Sequence, residues 1–160
     1  MFDEASKQLM NDSVLCWLAT VDGHGAPSVS PKEMFVPLGD DRLLIAHIAS
    51  PNSVANIRTN PNVCVSLLDI FRQKGCKLYG KANLIHPGDA QYDSLLDALQ
   101  QVGGTGFPVL GIIDVHVERL EPIIAPSYWM FPETTSEQSQ IEQSMKTYGV
   151  RPAGPAFGTD

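Results

Sequence analysis

Ser50-Pro51-Asn52-Ser53 stands where a continuous apolar run, Arg42 to Ile48, gives way to a short helical pattern that stops at Asn60-Pro61. A helix N-terminus offers backbone N–H groups with no partner inside the helix and a partial positive charge. Both suit a phosphate. Asn52 and Ser53 add side-chain donors. The same four residues also read as a plain helix start. Ser50 suits the N-cap, and Pro51 fits the first helical position, where its missing N–H costs nothing. Spacing alone leaves both readings open.

Other signatures are absent from the sequence. There is no G-x-x-x-x-G-K-[ST], no G-x-G-x-x-G after a strand and no G-x-S-x-G elbow. Gly103-Gly104-Thr105-Gly106 follows a helical pattern, so it reads as a helix stop. The histidines, His24, His47, His86 and His116, have no close ligand spacing, and no metal is expected. Cys16, Cys64 and Cys76 are odd in number and form no C-x-x-C. They lie in apolar stretches and read as small buried hydrophobes in a reducing compartment. The acidic start, Met1-Phe2-Asp3-Glu4, is unlike a signal peptide, and no apolar run approaches the ~20 residues a bilayer requires. A soluble, cytoplasmic protein is expected. The formal net charge of -7 argues against a general nucleic-acid binder, while a few local donors could still hold a small anion.

The elements that must position the tetrapeptide follow from periodicity in a chain of 160 residues, which suits one domain over 1–150 with a loose tail over 151–160. A helix is expected over Asp3 to Asn11. Val14 to Val21 reads as a strand turning at Asp22-Gly23 into a second strand, Pro27 to Pro37. Pro31 places that second strand at an edge or a bulge. Arg42 to Ile48, Val63 to Ile70, Cys76 to Ile85 and Val109 to Leu120 are further strands. Pro87 to Val102 is a helix with Tyr92, Leu95, Leu96, Leu99 and Val102 as its stripe. A last helix starts at Thr134, with Glu137 completing a capping box and Ile141, Met145 and Tyr148 inside. The aromatic run Ser127-Tyr128-Trp129-Met130-Phe131 reads as core or dimer packing, or as a pocket wall. Short hairpins favour a mainly β, antiparallel sheet with peripheral helices. Closure into a barrel would remove its edges.

Between Val14 and Ile85 the order and type of residues resemble the pyridoxamine 5′-phosphate oxidase-like family of FMN-binding split barrels. The matching pieces are Leu15-Cys16-Trp17-Leu18-Ala19-Thr20 with the Asp22-Gly23 turn, Ser30-Pro31-Lys32-Glu33-Met34 and Leu44-Ile45-Ala46-His47. They continue through Ser50-Pro51-Asn52-Ser53 and Asn56-Ile57-Arg58 to Asn60-Pro61-Asn62-Val63, and end in Leu78-Tyr79-Gly80-Lys81-Ala82. The resemblance implies a homodimer with FMN in a groove at its interface. It implies that Lys32, Glu33 and Met34 run along the flavin ring, largely through backbone groups. Ala46, His47 and Ile48 would contact the ring and ribityl side, Asn52 and Ser53 the phosphate, and Lys77 the cofactor from a neighbouring strand or protomer. No catalytic side chain is assigned, because the flavin carries the chemistry.

The sequence also departs from that family. Vitamin B6 phosphate oxidases carry Arg-Lys where this chain has Asn52-Ser53, and an Arg where it has Ser30-Pro31. The phosphate charge would fall to Lys32, Lys77 or Arg58. The expected function is therefore an FMN-dependent oxidoreductase of a small molecule other than a B6 vitamer. The alternatives are a non-catalytic flavin carrier or sensor, or a barrel for haem or a deazaflavin.

Overall fold

Alternation of apolar and polar residues produces the strands, and their order in the sheet shapes the molecule. A computed structural model describes residues 2–152; the tail expected to be loose lies, beyond Pro152, outside the described residues. The strands are β1 (Cys16–Val21), β2 (Pro27–Lys32), β3 (Phe35–Leu38), β4 (Arg42–His47), β5 (Asn62–Asp69), β6 (Lys74–Ile85) and β7 (Gly111–Ile124). They form one seven-stranded sheet in the order β2-β1-β5-β6-β7-β4-β3. Every pairing is antiparallel.

The expected single strand from Pro27 to Pro37 is two strands, and they lie at opposite edges of the sheet. Pro31 does sit on an edge, opposite Trp17. Only Glu33 and Met34 separate β2 from β3. Three Cα steps reach at most ~11 Å, so the far edges must be brought together. The sheet therefore curls into a half-barrel, and the Glu33-Met34 corner joins its rims. The Met34 carbonyl accepts the Ala46 N–H at 2.9 Å there.

The concave face holds Cys16, Leu18, Phe35, Leu43, Ile45, Val65, Leu67, Leu78, Ile113 and Val115, closed by Phe2 and Met10 at one side and by Ile57. A second core lies on the outer face of β4 and β7. There α3 (Tyr92–Gly103) lays Tyr92, Leu95 and Leu99 over Leu44, Ala46 and Ile112. Val102, expected in that stripe, is exposed. Helix α1 (Glu4–Asp12) is capped by Asp3, with Ser6 completing a capping box.

The C-terminal part differs from its periodic reading. Strand β7 runs on to Ile124, and the aromatic run contains a short helix, α4 (Ser127–Met130), with Trp129, Met130 and Phe131 exposed. Helix α5 (Glu137–Tyr148) starts from Ser136, and the capping partner is Ser139 rather than Glu137. Its buried residues are the polar Gln140 and Ser144. They grip the β5–β6 turn, where Gln140 Nε2 donates to Gln73 Oε1 at 3.1 Å and Ser144 Oγ donates to the Phe71 carbonyl at 3.1 Å. The Tyr148 ring meets Phe71 of the same turn edge-on, with centroids 6.2 Å apart, so the contact joins polar and aromatic groups.

Strands β6 and β7 are out of step by one residue. Tyr79 faces Arg119 and Gly80 faces Val117, so Glu118 bulges. A Cβ at Gly80 would strike the His116 carbonyl and lie 3.0 Å from Val117 Cα. Gly80→Ala should therefore destabilise the fold by roughly 1–3 kcal/mol through overpacking, read as a lower urea midpoint. An unchanged midpoint would mean that the bulge relaxes freely.

Candidate functional site

The site is assembled where the barrel corner meets helix α2 (Pro51–Thr59). Val54 and Ile57 are buried, while Ala55 faces outward. Asn56 Nδ2 donates to Thr20 Oγ1 at 3.0 Å, which ties the helix to β1. The first helical bond joins the Val54 N–H to the Ser50 carbonyl at 3.1 Å, so the N–H groups of Asn52 and Ser53 precede the ladder.

Ser50 does not cap this helix with its side chain. Its Oγ instead accepts a hydrogen bond from Lys32 Nζ at 2.7 Å. Lys32 Nζ also donates to Ser30 Oγ at 2.5 Å, and Ser30 Oγ is 3.1 Å from Ser53 Oγ. Lys32 is only 6% exposed. Two hydroxyls accept from it but bring no countercharge, and among the described residues no carboxylate pairs with it. Taking an ammonium out of water without an opposite charge is costly. Burial accordingly pulls the Lys32 pKa below its ordinary value.

His47 ends β4 and faces the same place. Its Nδ1 accepts the Ser50 N–H at 3.3 Å. That bond assigns the ring proton to Nε2. Burial first, then the positive charges of Lys32, His86 and Arg58, hold the imidazole below its ordinary value. The chain is acidic as a whole, yet this corner is cationic.

The structure thus brings Lys32, His47 and Ser53 together, with Asn52 exposed on the same helical turn. Glu33 is exposed at the corner. Met34 contributes its backbone, while its side chain is buried against Gly103 at the end of α3. Ala46 belongs to the outer core, and Ile48 packs against it. Lys77 stands apart: on the outer face of β6 it pairs with Glu121 at 3.1 Å and lies 5.6 Å from the Tyr79 ring. Cross-strand register puts Lys77 on one face with Ser66 and Trp17, away from the Lys32 side chain.

Ser30, and Ser50 as a partner of Lys32, were not singled out as binding residues by spacing. A signal was present. Ser28, Ser30 and Lys32 alternate on the side that β1 fills with Cys16, Leu18 and Thr20. Polar side chains on a core-facing row call for a polar ligand or network. No helix among the described residues is long and apolar enough to cross a membrane.

Comparison with known proteins agrees with this architecture. The structure superposes on HupZ of Group A Streptococcus with a TM-score of 0.68 at 25% identity, over 78% of this chain and 96% of that one. An FMN-binding protein from Syntrophomonas wolfei matches with a TM-score of 0.64 at 18% identity, over 74% and 84%. An F420 reductase matches at 0.58 and 22%, over 75% and 98%. No curated protein matches the chain. The family profile described as pyridoxamine 5′-phosphate oxidase covers residues 2–122. That span takes in every strand but the end of β7, together with the Lys32 corner and α2, and the chain belongs to the pyridoxamine 5′-phosphate oxidase family.

Proposed function

We propose that this protein is an FMN-dependent oxidoreductase, working as a homodimer on a small molecule that is not a B6 vitamer. The observation that carries the reading is the buried Lys32 ammonium, held by the hydroxyls of Ser30 and Ser50 at an uncapped helix N-terminus with no carboxylate to neutralise it. A terminal phosphate supplies the missing negative charge and accepts from the N–H groups of Asn52 and Ser53. The FMN-binding relative of the same fold supports a flavin as the rest of the ligand.

FMN supplies hydride transfer when bound. The chain's own residues bind and orient it. Lys32, Asn52 and Ser53 hold the phosphate. The backbones of Lys32-Glu33-Met34 and of Ala46-His47-Ile48 line the ring side. No general acid or base is assigned. Asn52-Ser53 in place of Arg-Lys removes two cations from the phosphate end, which sets the site apart from that of the B6 oxidases.

The outer sheet face supports the dimer. Trp17 is 47% exposed and Val29 59% exposed, and both share that face with Leu68. Exposed apolar surface of this kind marks a protein contact. Lys77 lies on the same face, so a partner would bring it to a flavin that it does not meet within its own protomer.

Three outcomes are expected. The purified protein carries or takes up a yellow chromophore near 1:1 that mass spectrometry identifies as FMN. A released haem or deazaflavin, or no uptake of FMN, would refute the reading. Lys32→Met weakens FMN binding by about 1.5–3 kcal/mol, the worth of a charge-assisted hydrogen bond. It leaves the ligand-free protein as stable as before or more so, because a buried unpaired charge is removed; a large fall in melting temperature would make Lys32 structural instead. Trp17→Glu shifts the sedimentation coefficient from dimer to monomer, and an unchanged value would place the interface elsewhere.

A further inference from the structure

His47 sits where one acceptor serves a backbone donor that a ligand would also need. Its Nδ1 accepts the Ser50 N–H, and the neutral ring keeps its proton on Nε2. A second proton can add only at Nδ1. Doing so removes the acceptor and leaves two N–H donors, from Ser50 and from His47, facing one another. An anion placed there accepts from both. The charged and titratable groups acting on His47 are Lys32 from β2, His86 just past β6 and Arg58 from α2. None of them is a carboxylate, so nothing in the ligand-free site favours that second proton.

We propose that His47 is the second charge of the phosphate cradle: a phosphate monoester dianion docking at the α2 N-terminus draws a proton from solvent onto His47 Nδ1. The Ser50 N–H then changes acceptor, from Nδ1 to a phosphate oxygen. Lys32 and His47 together neutralise the two negative charges, and the site thereby prefers a terminal phosphate to a singly charged internal diester. This inference rests on the FMN reading. It makes His47 a binding and specificity residue, with no part assigned to it in hydride transfer.

The sign follows from linkage. The complex holds one more proton than its separated parts, so affinity falls as pH rises between the free and bound pKa of His47, by at most ~tenfold per pH unit. A phosphate monoester loses its second proton near pH ~6, and the effect is read above that value.

The experiment measures FMN affinity by quenching of flavin fluorescence from about pH 6.5 to 9, for the wild type and for His47→Asn. Asn keeps an acceptor for the Ser50 N–H and cannot titrate. The wild type should weaken with rising pH while His47→Asn stays flatter. Calorimetry in two buffers of different ionisation heat should count more protons taken up by the wild type. A measurement independent of the variant is the imidazole NMR titration of His47 in the wild-type protein, whose pKa should rise when FMN is added. Equal slopes and proton counts, or an unmoved His47 titration in the FMN complex, would overturn the inference alone. Failure of the wild type to bind FMN at any pH would overturn the flavin reading and this inference with it.

Discussion

The chain passes from one edge of its sheet to the other across two residues, Glu33 and Met34, and most of the structure depends on that step. A flat seven-stranded sheet would hold its rims roughly 29 Å apart at ~4.8 Å per strand. Two residues cannot bridge such a gap, so the sheet must curl. Curling makes an inside, which the alternating apolar residues of β1, β4, β5, β6 and β7 fill. It also makes a corner, where backbone groups leave regular pairing and the last side chain of β2 turns toward the start of α2. Lys32 is that side chain.

Charge at the corner runs against charge elsewhere. The protein is acidic, and its surface cations mostly have carboxylate partners, as Lys7 has Asp40, Lys74 has Glu137 and Lys77 has Glu121. Deeper in, Arg42 makes a two-pronged pair with buried Asp114. Lys32 is the buried lysine among the described residues, and it has only hydroxyls. Arg58 and Lys146 also stand without a carboxylate among the described residues, but in water; an unpaired charge that is buried marks a candidate ligand contact.

Much of this was legible in the sequence, and the failures have physical causes. Pro31 announced an edge strand, because proline cannot donate to a ladder. Asp22-Gly23 announced the first hairpin and Asn60-Pro61 the end of α2. The break between β2 and β3 had only a weak local signal, the strand-poor run Pro31-Lys32-Glu33, and the rim-to-rim crossing is a property of the whole sheet. Helix α5 misled through its period. Ile141, Met145 and Tyr148 marked an apolar stripe, and Tyr148 does meet Phe71, yet the residues the helix buries are Gln140 and Ser144. Asn52 and Ser53 could be picked out as helix-start donors. The role of Ser30 depends on a register with β1 that no reading of β2 alone supplies.

Ser50 is the residue that a designer of isolated helices would have chosen as a cap, and its hydroxyl serves Lys32 instead. A missing side-chain cap costs a helix about 0.5–2 kcal/mol. The first turn of α2 is thus locally frustrated: the best choice for the helix and the best choice for the corner differ, and the corner has prevailed. A ligand at the α2 N-terminus would supply from outside the chain the order that the cap does not.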